Sequence, residues 1–427
     1  MRFIPLVIAC LALAAHHMRA VETGLMGMWL TLPFFLFLKR RWVERAVQVM
    51  LVAGAFEWIL TLLTITDVYR RYGMPATRSM LILGGVALFT LLAALPLGRW
   101  ARRDPDPVAS GLGAFLVVGV LLVPVQLYTD PAGILLERFL SAGGWWEAMV
   151  LAFYAGWLAD RLREPRAIKQ LRPRVWLIFS VVFFTQLLLG MAGFEKLLMT
   201  GKLHLPVPAL IAAGPLFRGG GLFMAILFSS SVLVLGPAWC SWLCYIGAWD
   251  DRAARARKRP DRLPRWRGAA RLGVLVVVMT AALVMGRLGV PTVVAGWLAA
   301  GFGLGGVGLM MLWSRRTGHM THCTLWCPMG WLATRLGKVS PWRLRIADSC
   351  TDCGACTPAC RFDALYPEDV LQREPAEACT LCGDCLSNCP TSSIEYRYLK
   401  GDPQRLRMVF MVLVAAWHAA FLGVARL

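Results

Sequence analysis

Apolar residues run in long blocks along this chain, and the blocks rather than any short periodicity set its architecture. They fall at about 3–18, 22–38, 46–65, 79–98, 108–128, 144–159, 175–198, 219–239, 269–286, 291–313 and 406–425. A helix needs about 20 such residues to cross the hydrocarbon layer; most blocks approach that length, and 3–18 and 144–159 are the shortest. The pattern predicts an all-α polytopic membrane protein of about eleven spans.

The polar connections alternate in charge. KRR at 39–41, GRWARR at 98–103, DRLREPRAIKQLRPR at 160–174 and DRAARARKRPDRLPRWR at 251–267 share one side of an eleven-span arrangement. Arg70, Arg71 and Arg78 make 66–78 an imperfect member of the other side. Basic connections face the cytoplasm, which predicts a multi-pass protein of the bacterial inner membrane. The first block, MRFIPLVIACLALAA, also has the form of a signal peptide, but retention as a span is expected, with Cys10 a small buried apolar residue.

Composition agrees: of 427 residues, 58% are hydrophobic and 16% charged. A net charge of +20 would suit nucleic acid in a polar chain. Here the basic residues cluster between apolar blocks, so topology and anionic lipid explain them, the run from Asp251 included, and no nucleic-acid partner is expected.

Two polar stretches carry chemistry. CTDCGACTPAC at 350–360 and CTLCGDCLSNCP at 379–390 repeat C-x2-C-x2-C-x3-C. Disulfides would need an oxidising compartment and zinc would favour spaced pairs, whereas this comb is the ligation pattern of iron–sulfur cubanes. Two [4Fe-4S] clusters are therefore expected in a small α+β insert resembling the two-cluster bacterial ferredoxins, where the fourth Cys of each comb serves the other cluster. Carried over by position, one cluster takes Cys350, Cys353, Cys356 and Cys389, and the other takes Cys379, Cys382, Cys385 and Cys360. Gly354 and Gly383 fall where backbone must pass close to the inorganic core. Pro390 follows the last Cys, but Arg361 stands where the first Pro would, so the turn there is expected to differ.

Four more cysteines are paired. Cys240 and Cys244 close the block at 219–239, and Cys323 and Cys327 follow the block at 291–313. The i, i+4 spacing predicts each pair on one helical face. Cys240, Trp242, Cys244 and Gly247 are matched by Cys323, Leu325, Cys327 and Gly330. The pairs could converge on a four-thiolate site, close a redox-active disulfide, bind a soft metal such as Cu(I), or be inert buried thiols; a redox or metal site is the favoured expectation, a third metal or cluster being one form of it.

Together, the paired C-x3-C elements, the stretch LHLPVPALIAAGPLFRGGG at 203–221 and the two-cluster comb resemble the NapH/NosR-type membrane polyferredoxins over roughly residues 175–427. The resemblance implies electron transfer linking the quinol pool to respiratory or maturation partners. Tyr245 departs from the family's Pro after the first C-x3-C motif, and the spans before about 170 have no counterpart. The expected divisions are an N-terminal bundle of unassigned role (1–170), a family-like core (171–340), a cytoplasmic 2[4Fe-4S] domain (341–403) and a last span (404–427).

Other features weigh less. Gly301, Gly303 and Gly306 satisfy G-x-G-x-x-G inside an apolar block with no preceding strand, so close helix packing is expected rather than dinucleotide binding. His16, His17 and His418 sit on spans; haem is disfavoured because a lone His on a span is commonly satisfied by a neighbour. His319 and His322 flank Cys323, with a solvated loop as the simpler expectation. Glu57, Glu195 and His204 are candidate proton acceptors, the last two being chosen for a quinol site. The expected function is one-electron relay between the quinol pool and a respiratory redox partner protein, as an electron-transfer subunit of a quinol-linked oxidoreductase system. The alternative is a maturation factor that reduces a metal such as copper, or a disulfide, for another redox enzyme.

Overall fold

The computed structural model describes residues 3–95, 105–129, 133–197, 205–264, 266–399 and 401–424. Within the described residues, each of the eleven apolar blocks lies mostly on helix. In chain order the described helices are α1 (Ile4–Arg19), α2 (Thr23–Thr31, continued by a 3-10 segment Leu32–Leu38), α3 (Arg41–Arg71), α4 (Thr77–Ala94), α5 (Pro105–Tyr128), α6 (Gly143–Leu162), α7 (Pro165–Met191), α8 (Leu210–Arg218), α9 (Phe223–Leu235), α10 (Tyr245–Ala254), α11 (Arg267–Arg287), α12 (Thr292–Leu309), α13 (Arg315–Thr317), α14 (Pro328–Leu336), α15 (Pro367–Leu371) and α16 (Pro403–Val424). Helix is the expected answer to these blocks, because only internally paired backbone is tolerated in hydrocarbon.

Among the described residues, eight helices are long and apolar enough to cross a membrane: Arg41–Arg71, Thr77–Ala94, Ala109–Tyr128, Pro165–Met191, Phe223–Leu243, Arg267–Arg287, Thr292–Thr317 and Pro403–Val424. The segments Ile4–Arg19 and Thr23–Leu38 are apolar but shorter. The block at 144–159 lies on α6, whose Glu147, Asp160 and Arg161 dilute its apolar character.

The chain divides into two compact units, Met1–Asp160 with Ala415–Leu427, and Arg161–Val414. In the first, α3 packs along α4 and α5, and fully buried Trp42 fills space that a Cβ at Gly111 or Gly156 would occupy (2.3 and 2.4 Å to the ring).

The second unit holds every comb and C-x3-C cysteine. After α14 the chain forms strand β1 (Trp342–Ile346), passes through both combs, and returns as β2 (Ile394–Tyr398). The two strands pair antiparallel, Trp342 opposite Tyr398 and Ile346 opposite Ile394. Their inner residues Trp342, Leu344, Ile346, Ile394 and Tyr396 are buried, the alternation expected of a sheet with one covered face. Tyr396 stacks on Phe410 of α16, 4.5 Å between centroids.

Buried charge fixes the comb segment to the helices of this unit. Arg172 of α7 is fully buried. It donates from Nε to Asp384 Oδ1 (2.8 Å) and from Nη2 to Asp384 Oδ2 (2.7 Å), a two-pronged grip on the residue between Cys382 and Cys385. The same Nη2 reaches Asp251 Oδ1 of α10 at 2.9 Å, and Nη1 donates to the Ser241 carbonyl at 3.1 Å. Arg255 closes the group, reaching Asp251 (2.6 Å) and Asp384 (2.5 Å). The planar fork of arginine suits such bidentate pairing, where a lysine would act only as a point charge.

The connection that the sequence assigns to topology and lipid also holds the combs. Arg262 pairs with Glu368 at 2.9 Å and lies over the Tyr366 ring at 4.5 Å, and Arg267 pairs with Asp363 at 2.6 Å. On α7, Lys169 Nζ donates to Asn388 Oδ1 at 2.9 Å, and Ser387 Oγ donates to the Pro165 carbonyl at 2.6 Å.

Removing one member of a buried ion pair costs about 3–5 kcal/mol because it strands the other. Arg172→Met is therefore expected to lower the thermal midpoint of the purified protein sharply. Adding Asp251→Asn and Asp384→Asn should recover part of the loss. An unchanged midpoint in the single variant would show that Arg255 alone satisfies both aspartates.

Candidate iron–sulfur sites

The two combs fold as near copies. Cys356 and Cys385 each lead into a 3-10 turn, Thr357–Ala359 and Leu386–Asn388. Cys360 and Cys389 follow in the same extended conformation (φ −76°, ψ 110° and φ −80°, ψ 113°). Arg361 therefore does not alter the turn, contrary to the expectation from its missing proline. Its guanidinium instead donates to the Arg257 and Gly318 carbonyls, both at 2.9 Å. Gly354 and Gly383 adopt φ of +69° and +84°, a conformation that favours glycine regardless of what lies nearby.

The thiols gather in the crossed sets. Cys356 lies within electrostatic reach of Cys389, Cys350 and Cys353, whose ionisation would disfavour its own. Cys385 interacts with Cys382, Cys379 and Cys360 of its own set, and beyond them with Cys356 of the other. Burial pushes the Cys360, Cys379 and Cys382 thiols up to about 12 and Cys356 up to about 11. Such thiols stay protonated on their own; bound iron is what would deprotonate them. Backbone N–H groups already face the sulfurs that end each comb: Ala364 N donates to Cys360 Sγ and Ser393 N to Cys389 Sγ, both at 3.3 Å. The set with Cys360 lines a cavity with Leu344, Phe362 and Thr380, whereas Cys353 of the other set is exposed.

The C-x3-C pairs also repeat each other, though not as the helical face expected from their spacing. Trp239–Leu243 and His322–Trp326 are single π-helical turns, closed by Cys244 N to the Trp239 carbonyl (3.0 Å) and Cys327 N to the His322 carbonyl (2.8 Å). Cys244 and Cys327 then turn out of the helix into extended backbone (ψ 114° and 115°) and precede α10 and α14. The wider turn and the break at the second Cys replace the i, i+4 register. Pro328 takes the first helical position of α14, where its missing N–H costs nothing. Tyr245 takes that position in α10 and stacks on Phe183 at 4.0 Å, so Tyr in place of the Pro expected from the resemblance leaves the geometry intact.

The four thiols of these pairs line one cavity. Gly247 and Gly330 permit the approach: a Cβ would lie 3.0 Å from the Cys240 carbonyl oxygen in one copy and 2.8 Å from that of Cys323 in the other. Supports come from α7, where Trp176 Nε1 donates to the Cys244 carbonyl (2.9 Å) and Ser180 Oγ to that of Tyr245 (2.7 Å). Asp250 accepts from Ser314 Oγ (2.6 Å) and Cys323 N (3.0 Å), and burial pushes its carboxyl up to about 7. Among the described residues no three His, Cys, Asp or Glu side chains converge as ligands of a single metal ion; a cubane spreads four thiolates over four irons.

The remaining candidates are placed as follows. His319 and His322 are buried, against the expectation of a solvated loop. His322 is packed where a Cβ on Gly306 would lie 2.5 Å from its Nδ1, so the glycine stripe of α12 seats the second C-x3-C turn. Burial pushes both imidazoles down to about 4 and keeps them neutral. In the first unit His17 faces Glu22 through Nδ1 (2.7 Å) and Glu57 through Nε2 (3.0 Å), His16 packs on Trp58, His418 on Tyr154, and Cys10 is buried. Glu195 is exposed on a 3-10 turn, Glu195–Leu197, beyond the end of α7. With about 1.5 Å of rise per residue, α7 separates Glu195 from Arg172 by roughly the thickness of the hydrocarbon layer. His204 lies outside the described residues. Arg172, Asp251, Arg255, Asp384 and Arg271 were not singled out by sequence, because charge alone does not disclose a partner.

A mostly helical chain with eight candidate spans among its described residues, and thiols gathered in fours, defines a membrane-associated iron–sulfur protein. Residues 217–264, which contain Cys240 and Cys244, match the family described as "4Fe-4S binding domain", supporting at least one iron–sulfur cluster. The Escherichia coli protein named "Putative electron transport protein YccM" is 24% identical over 226 residues, 48% of this chain and 60% of that protein. The match thus spans less than two thirds of the relative's length. No solved structure matches the chain.

A methyl group at Gly330 would meet the Cys323 carbonyl oxygen at 2.8 Å and Arg271 Nη2 at 2.9 Å. Gly330→Ala is expected to cost about 1–3 kcal/mol through overpacking and to loosen the second C-x3-C turn. Thermal melting together with thiol alkylation of the iron-free protein checks this; an unaltered melt and alkylation pattern would contradict it.

Proposed function

We propose that this chain relays single electrons between a lipid-soluble quinol and a redox partner protein, as a membrane-bound polyferredoxin of the NapH/NosR type. One set of cysteines, Cys350, Cys353, Cys356 and Cys389, and the other, Cys360, Cys379, Cys382 and Cys385, would each hold a [4Fe-4S] cluster. The crossed gathering of these thiols carries the reading, one set buried against the helices of the unit and the other reaching the surface at Cys353. When bound, each cubane takes up and returns one electron, so a pair suits the two electrons a quinol releases with its two protons.

The chain's own residues supply positioning. The Arg172–Asp384 grip holds the buried comb against α7 and α10, and the N–H groups of Ala364 and Ser393 favour thiolate at the comb ends. The stretch after 204 supports a lipid-side approach: α8 runs beside α11, while Pro208 lines the C-x3-C cavity. Irregular backbone at membrane depth is tolerated where it lines such a cavity. Glu195 and His204 stay in the proposal as proton acceptors, but the length of α7 sets Glu195 far from the thiols, and a quinol headgroup near Pro208 fits better. The exposed loop around Cys353 is the proposed docking point for the partner.

The basic connections at 160–174 and 251–267 hold the comb segment, so the positive-inside rule assigns that segment to the cytoplasmic face of a bacterial inner membrane. Reporter fusions at Arg259 and after Leu427 should report opposite faces; the same face for both would remove the last span. The electron-transfer reading itself is tested in anaerobic membranes by EPR. A quinol analogue is expected to reduce the clusters. Clusters that stay oxidised with quinol yet respond to dithionite would overturn quinol oxidation.

A further inference from the structure

The relay proposed above leaves four thiols and one cation unused. Cys240, Cys244, Cys323 and Cys327 surround a cavity that Arg271 also lines. Cys323 lies within electrostatic reach of each of the other three. All four are free rather than disulfide-bonded.

Arg271 makes this more than a pocket of thiols. It is 7% exposed, its Nε has no hydrogen-bond partner, and its charge acts on Cys240, Cys327 and Cys323. A buried guanidinium with an open donor is costly unless an anion fills the space before it. Four neutral thiols are not that anion, but a cubane on four thiolates is. Backbone amides complete the cradle. The N–H groups of Ile246 and Gly247 face Cys244, and those of Met329 and Gly330 face Cys327, matching the N–H to sulfur contacts at the comb ends.

We infer that Cys240, Cys244, Cys323 and Cys327 hold a third [4Fe-4S] cluster, with Arg271 offsetting its negative charge. The inference rests on reading the chain as an iron–sulfur protein, and it places three sites in a row. Phe362 and Thr380 line both this cavity and that of the buried comb set. Ser241, inside the first C-x3-C pair, donates from Oγ to the Thr380 carbonyl at 3.0 Å. Cys385 of the buried set in turn interacts with Cys356 of the set that reaches the surface. The C-x3-C site is then the inner end of the row, beside Pro208, and the exposed Cys353 marks the outer end.

Iron and acid-labile sulfide are counted per chain in anaerobically purified full-length protein. At four irons per cubane, about twelve irons are expected in the wild type and about eight in Cys240→Ser/Cys327→Ser. Eight in the wild type would overturn the third cluster, as would twelve retained in the double variant. No iron at all in the wild type would instead overturn the iron–sulfur reading beneath it. Arg271→Met gives a readout that does not require the double variant to fold. Loss of the cation disfavours reduction, so one of three midpoint potentials should fall while two hold, with Arg271→Lys restoring it. Three unchanged potentials in Arg271→Met would contradict the assigned role.

Discussion

A single guanidinium, that of Arg172, joins three parts of the chain that are far apart in sequence. It is fully buried, and its donors go to Asp384 in the second comb, Asp251 at the start of the basic connection and the Ser241 carbonyl between Cys240 and Cys244. Buried ion pairs add little net stability compared with well-packed apolar groups, yet they are costly to break. The consequence is registration: the comb segment has one low-energy seat on α7 and α10, and leaving it takes the Asp384 carboxylate away from the Arg172 and Arg255 guanidiniums. The potential of a cluster depends on burial and on charge near its sulfurs, so a seat defined by two arginines and two aspartates beside Cys382 also defines the electrostatic setting in which the thiols work.

The basic connections do more than the orienting expected of them from the positive-inside rule. Lys169 and Arg172 on one, and Arg255, Arg262 and Arg267 on the other, each contact a side chain of the comb segment. Arg361 answers from the comb side by binding carbonyls of Arg257 and Gly318. Charges placed between apolar helices thus also hold the comb segment against those helices.

The apolar blocks and the combs were readable in the sequence because each is a local pattern: block length reports helix, and Cys spacing reports ligation. The pairing of Cys240 with Cys244 and of Cys323 with Cys327 was visible too, but not its geometry. A π-helical turn and a break at the second Cys depend on Gly247, Gly330, Trp176 and the glycine stripe of α12, all of which act through tertiary contact. The arginines were hidden for another reason. Arg172 and Arg255 sit inside runs rich in Lys and Arg, where composition explains every member equally well, and only the fold shows which of them is buried. His319 and His322 are hidden for the converse reason, since a polar stretch between apolar helices looks solvated until the comb segment covers His319 and the glycines of α12 seat His322.

An experimental density map of the anaerobically purified chain shows whether crossed thiol sets are seated on the helices through Arg172. The account predicts cubane density bounded by Cys350, Cys353, Cys356 and Cys389 and by Cys360, Cys379, Cys382 and Cys385, with the Asp384 carboxylate against the Arg172 guanidinium. Clusters ligated by the four cysteines of one comb alone, or a comb segment turned away from α7 with Arg172 unpaired, would contradict it.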